Sequence, residues 1–207
     1  MNQLTSVYDQ EGKFAQGAVL GEQALEISRR VLGPDAIKTL NSEFFLAIML
    51  YEEGKYAEAE TLGRHTIEAR SRVEGPENPD TLSSMNNLAE FLDAEGKVKD
   101  AETVCRQTYD LRRKVLGPEH PDTLDSLVNL ARDLKEEDQF PQAEALDRQA
   151  LDIQKRVLGP EHPLTLRSLD ALAIDSRHSG RYAEAESINA SVLAIRRRTL
   201  GKITPIR

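Results

Sequence analysis

The sequence has no tryptophan, and aromatic residues make up only 5% of it. That is thin for one large core but adequate for many small ones strung along a chain. A single cysteine excludes an internal disulfide framework and a cysteine-built metal site. The longest apolar run, residues 44–51 (FFLAIMLY), is far too short to span a bilayer. The opening MNQLTSVYDQEG lacks the basic start and apolar run of a signal peptide. No phosphate-cradling glycine loop, H-E-x-x-H or G-x-S-x-G is present, so catalysis, a cofactor and a metal are not expected. Basic excess is missing too. A formal net charge of −8 argues against nucleic acid or an anionic membrane as the main partner. Together these absences predict a cytoplasmic, non-catalytic protein.

What is present is a period. Gly33, Gly75, Gly117, Gly159 and Gly201 stand 42 residues apart, and Pro34, Pro76, Pro118 and Pro160 follow four of them. Thr39-Leu40, Thr81-Leu82, Thr123-Leu124 and Thr165-Leu166 keep the same step. Self-similarity at this period predicts an all-α solenoid of antiparallel helix pairs, a single array over residues 1–207. Its units are a partial repeat over about 1–33, then 34–75, 76–117, 118–159 and 160–201, with a tail at 202–207. Residues 1–11 read as the remnant of a first helix, with Leu4, Val7 and Tyr8 at core positions and Gly12 ending it.

In each unit a first helix closes at a glycine (Gly54, Gly96, Gly180), which takes the left-handed conformation without a Cβ clash. Asp138 stands in that place in the fourth copy, with strain expected. Second helices are predicted over 56–73, 97–115, 140–157 and 182–199. Recurrent alanines (Ala47, Ala89, Ala131, Ala173; Ala59, Ala101, Ala143, Ala185) mark the closest approach of paired helices. The basic clusters ending the second helices, such as 112–114 and 196–198, complement the helix dipole, with neighbouring acids partly neutralising them. Glu119-His120 and Glu161-His162 recur one unit apart in equivalent linkers, whereas a catalytic site needs different residues converging on one point. Cys105, at an apolar place in its helix, reads as a small core residue.

The run N-L-A-x-x-L-x-x-x-G-K-x-x-x-A-E, from Asn87 to Glu102 and echoed at Asn129-Leu130-Ala131, resembles the tetratricopeptide repeat. The L-G-P-x-H-P-x-T-L linkers are similar to those of kinesin-light-chain repeats and of bacterial and fungal multidomain proteins. The chain departs from the pattern where Glu43, Met85, Leu127 and Leu169 replace an early aromatic, and where Asp170-Ala171 replaces an Asn.

The resemblance implies a right-handed superhelix whose first helices line a peptide-binding groove. The groove residues would be Phe44, Phe45, Ile48 and Tyr51, then Asn86, Asn87 and Glu90, then Asn129, Arg132 and Lys135, and last Arg167 and Arg177. Asn87 and Asn129 would either hydrogen-bond an extended peptide or tie neighbouring helices together. The expected ligand is a protein or peptide with an apolar or aromatic anchor followed by acidic residues, drawn by Arg132, Lys135, Arg167, Arg177 and His178. The rival reading has Phe44 and Phe45 packing under the truncated first helix. The resemblance thus implies a protein-interaction scaffold, one module of a larger signalling protein. The alternative is a structural repeat that self-associates end to end, because Ile188, Val192, Ile195 and Leu200 have no following helix to cover them.

Overall fold

The computed structural model describes residues 14–200, and within them it is helical throughout, with short turns between. The expected helix over 1–11, its terminator Gly12, and the tail lie outside the described residues. The described helices are α1 (Phe14–Leu32), α2 (Ile37–Glu52), α3 (Tyr56–Val73), α4 (Pro79–Ala94), α5 (Val98–Val115), α6 (Pro121–Glu136), α7 (Phe140–Val157), α8 (Pro163–His178) and α9 (Tyr182–Leu200). They form an all-α solenoid of paired helices, as the period predicts. The chain divides into two compact units, Met1–Leu111 and Arg112–Arg207.

The linkers are built by a few side chains. Gly33, Gly75, Gly117 and Gly159 end their helices at φ of 90°, 99°, 90° and 91°, values that L side chains rarely adopt. Asp138 sits at φ 59° in the place where other copies carry Gly54, Gly96 and Gly180. Thr39, Thr81 and Thr165 each donate a hydroxyl hydrogen bond back to the carbonyl of that linker glycine, at 2.8, 2.9 and 2.8 Å. The Leu after each threonine is buried. The Thr-Leu step therefore locks the turn and anchors the next helix together. Asn78, His120 and His162 cap the first helices, their side chains accepting from the backbone N–H of Asp80, Asp122 and Leu164. That gives the linker histidines a structural role. Ala36 has the same backbone conformation and no side-chain cap.

The eight recurrent alanines are all buried. In the first unit, Leu46, Met49 and Leu50 of α2 pack with Ala18 and Leu25 of α1, and Leu88 and Leu92 of α4 meet Ala101 and Val104 of α5. In the second, Leu151 of α7 joins Leu166, Leu169 and Leu172 of α8 and Val192 of α9. Cys105 is buried.

The basic clusters do more than complement a dipole. Arg72 reaches Asp35 (2.5 Å), Arg156 reaches Glu119 (2.7 Å), and Arg198 reaches Glu161, each acid lying in the linker one unit back. A second set of rungs joins Lys97 to Glu60 (2.6 Å) and Arg181 to Glu144. The Lys97 ammonium holds Glu60 well below the usual carboxylate range, at about 2. Other members of the clusters turn inward. Arg70 is buried and donates to Asn41 Oδ1 at 2.5 Å, and Arg112 donates to the Asp122 carbonyl and Ser126 Oγ, both at 2.9 Å.

Candidate binding cavity

In the first unit the proposed groove residues are largely built into the fold. Phe45 lies against α1, where a Cβ on Gly21 would sit 3.4 Å from its ring. Phe44 lies beneath the Arg70 guanidinium, 5.5 Å from ring centroid to Cζ. Ile48 and Tyr51 are half-buried against the same core, and the Tyr51 ring lies 5.2 Å from Phe91 and 5.6 Å from Tyr56. Asn86 is buried, Asn87 and Glu90 are half-buried, and the Asn86 amide lies 3.5 Å from a Glu90 oxygen. Glu43, a departure from the repeat pattern, is a buried carboxylate reached by Arg29 (3.1 Å) and His65 (2.8 Å).

In the second unit the structure brings three of the proposed residues to one place. Arg132, Lys135 and Arg167 line a cavity of about 420 Å³ between α6, α7 and α8. Its apolar wall is Val128, Phe140, Ala171 and Ile174, of which Ile174 is 41% exposed. His178 closes one side with its ring stacked on Phe140 at 4.7 Å. Asn129 is buried and accepts a 2.9 Å hydrogen bond from Arg167, one repeat on, so it does tie neighbouring helices. Arg177 is exposed and does not line the cavity.

The charge balance differs from the sequence expectation. Lys135 is not offered to a ligand. It donates a 2.6 Å hydrogen bond to Asp147 Oδ2 and makes a 2.7 Å ionic contact with Asp175 Oδ1, so one ammonium from α6 bridges carboxylates from α7 and α8. Both carboxylates are buried. Burial pushes the Asp147 carboxyl up to about 6, with Asp175 adding to the rise and Lys135 opposing it. The same two acids raise Lys135, against the effect of its own burial. Arg132 lies 3.2 Å from buried Asp133, and Arg167 lies 3.4 Å from Asp125.

Asp147 and Asp175 were missed by sequence reasoning, although the register contains the signal. In the first unit the equivalent pair is Gly63 and Phe91, and a Cβ on Gly63 would sit 3.4 Å from the Phe91 ring. Successive steps of one repeat lead from that phenylalanine to Asp133 and Asp175, and from that glycine to Cys105 and Asp147. An apolar contact has become an ionic one at the same place in the repeat. Among the described residues no group of His, Cys, Asp and Glu could hold a metal ion, and no helix is long and apolar enough to cross a membrane.

The tetratricopeptide repeat family model matches residues 1–72, 39–103, 80–155 and 128–198. Among solved structures, a singly substituted form of the kinesin light chain TPR-like repeats of Podosopora anserina is 30% identical. It covers 96% of this chain and 93% of that chain, at a TM-score of 0.83. The form without that substitution is also 30% identical, with coverages of 95% and 93% and a TM-score of 0.81. BtubC from P. vanneervenii, 20% identical over 89% of this chain and 74% of its own, shares the fold at a TM-score of 0.76. No curated protein matches. With nearly its whole length covered by the family model and by these kinesin-light-chain-like neighbours, the chain belongs to the tetratricopeptide repeat family.

Proposed function

We propose that the chain is a non-catalytic interaction scaffold that captures a short segment of a partner protein in the cavity of its second unit. The cavity carries the reading. It is concave and apolar-walled, and it presents a half-exposed Ile174 beside the exposed guanidinium groups of Arg132 and Arg167. A desolvated apolar centre with a polar rim is the anatomy of a protein-binding hot spot. The test is selection of short peptides on the full chain, followed by titration against Ile174→Glu protein. An apolar-containing peptide should bind the native chain and lose at least about tenfold in the variant, since a carboxylate in the pocket removes an anchor contact. The melting temperature should stay unchanged, because Ile174 is already exposed. Selected peptides indifferent to Ile174→Glu would overturn the proposal.

A second reading has one observation in its favour. On α1, Val19, Leu20, Ile27 and Val31 are 48–66% exposed, an apolar surface that would suit association with a second copy. On α9, by contrast, where uncovered residues were expected, Val192 is buried and Ile188 and Ile195 pack against the core of Leu151, Leu166, Leu169 and Leu172.

A further inference from the structure

We propose that the open face of α1 is a docking site for residues 1–12 of this same chain, which lie along the first half of α1 as the first helix of their repeat. The inference is independent of the cavity.

The period points to the occupant. On α1, Leu20 is 48% and Ile27 53% exposed, and Ala24 between them is exposed too. Their counterparts on α3 are Leu62, Thr66 and Ala69. Thr66 and Ala69 are buried, and Leu62 packs against the core that holds Leu46, Met49 and Leu50 of α2. The same places on α5, α7 and α9 are Val104, Thr108 and Leu111, then Leu146, Ala150 and Ile153, then Ile188, Val192 and Ile195. The middle residue is buried each time and the outer two are half-buried. First helices do the covering: Leu88 and Leu92 of α4 meet Val104, and Leu169 and Leu172 of α8 pack with Ile188 and Val192. Among the described second helices, only α1 leaves this place open.

The side chains that close it are in the sequence. Leu4 and Tyr8 stand one period before Leu46 and Leu50, and their columns continue as Leu88 and Leu92, Leu130 and Leu134, Leu172 and Ser176, all buried. Gly12-Lys13 stands where Gly54-Lys55 and Gly96-Lys97 reverse the chain, with those later glycines at φ 79° and 81°. The family model takes in this segment as well, its first match starting at residue 1.

The next repeat sets the reach. Glu43 of α2 meets His65 of α3 at 2.8 Å, and one period back that pair is Met1 and Gln23. A helix through residues 1–10 therefore runs antiparallel to α1, from Gln23 back towards Phe14, and covers Leu20. Helices this short are marginal alone in water, so contact of Leu4 and Tyr8 with α1 is what holds this one. Val19, Ile27 and Val31 stay open to a second copy.

The experiment uses the full chain, which has no tryptophan, with Leu20→Trp as a single fluorescent reporter. Leu20 is already half outside, so the larger ring has room. Its emission should lie to the blue, resist quenching by acrylamide and not change with protein concentration. Adding Leu4→Asp and Tyr8→Asp should shift the emission to the red and raise the quenching, while circular dichroism keeps the helix content of the remaining array. Adding Gln10→Asp instead should change nothing, because its counterparts Glu52, Ala94, Glu136 and His178 are exposed. A red, readily quenched emission that ignores Leu4→Asp and Tyr8→Asp overturns the inference. Shielding that grows with protein concentration and ignores the same substitutions overturns it too, and makes a second copy the occupant. A red shift as large from Gln10→Asp overturns it by showing that added charge, not lost packing, moves the reporter.

Discussion

At neutral pH the native protein keeps Asp147 ionised where burial penalises the charge. Its carboxyl is raised to about 6 from an ordinary value of 3.8, so the native state binds that proton more tightly than the unfolded chain does. The sign follows by linkage. The contribution of Asp147 to stability is fully present below about pH 4 and is lost as the pH rises through 6. Asp147→Asn should therefore match the native protein at pH 4 and exceed it by about 1–3 kcal/mol at pH 7, since each tenfold difference in proton affinity between the two states is worth about 1.4 kcal/mol. Urea titrations at the two pH values check this. Equal stability of the variant and the native protein at both would contradict it. Glu60, held low by Lys97, works in the opposite direction and is common to both proteins. Ile174 belongs to the same scale: Ile174→Glu separates binding from folding, because its side chain is half outside already.

At the scale of the helix, caps and close approaches decide. Ala36 has φ −70° and ψ 136°, matching Asn78 at −65° and 137°, yet it offers α2 no side-chain acceptor. Ala36→Asn should supply the missing bond and add about 1 kcal/mol, measured as a raised midpoint in urea. No gain would show that the α2 N-terminus is satisfied by other means. Ala131→Leu, at a fully buried position on α6, should overpack the contact and cost about 1–3 kcal/mol. A melting temperature unchanged by that substitution would contradict the packing.

These elements were legible because glycine, proline, alanine and the Thr-Leu step act through backbone geometry and side-chain size, which are local and recur. The groove charges were less so. Lys135 reads as a free cation along the sequence because its two partners lie twelve and forty residues on, at places that the first unit fills with Gly63 and Phe91. Likewise, nothing local to the 112–114 cluster tells that Arg112 turns inward to Ser126 while Arg113 stays exposed.

At the scale of the whole molecule, two surfaces compete for the working role: the cavity among α6, α7 and α8, and the exposed apolar row on α1. Both follow from the same repeat. Each helix pair buries one face against the next, and what the stacking leaves over is either a lined cavity or an exposed apolar face. Ion pairs reaching one repeat back, from Arg72 to Asp35 in the first unit and from Arg156 to Glu119 in the second, add a polar seam within each unit. The central claim is that the cavity is the surface that binds. Amide hydrogen exchange of the full chain, with and without a selected peptide, tests it most directly. The account predicts slowed exchange confined to α6, the start of α7 and α8, with α1 unchanged. Slowed exchange on α1 with α6 and α8 unaffected would contradict it and make the apolar face of α1 the binding surface.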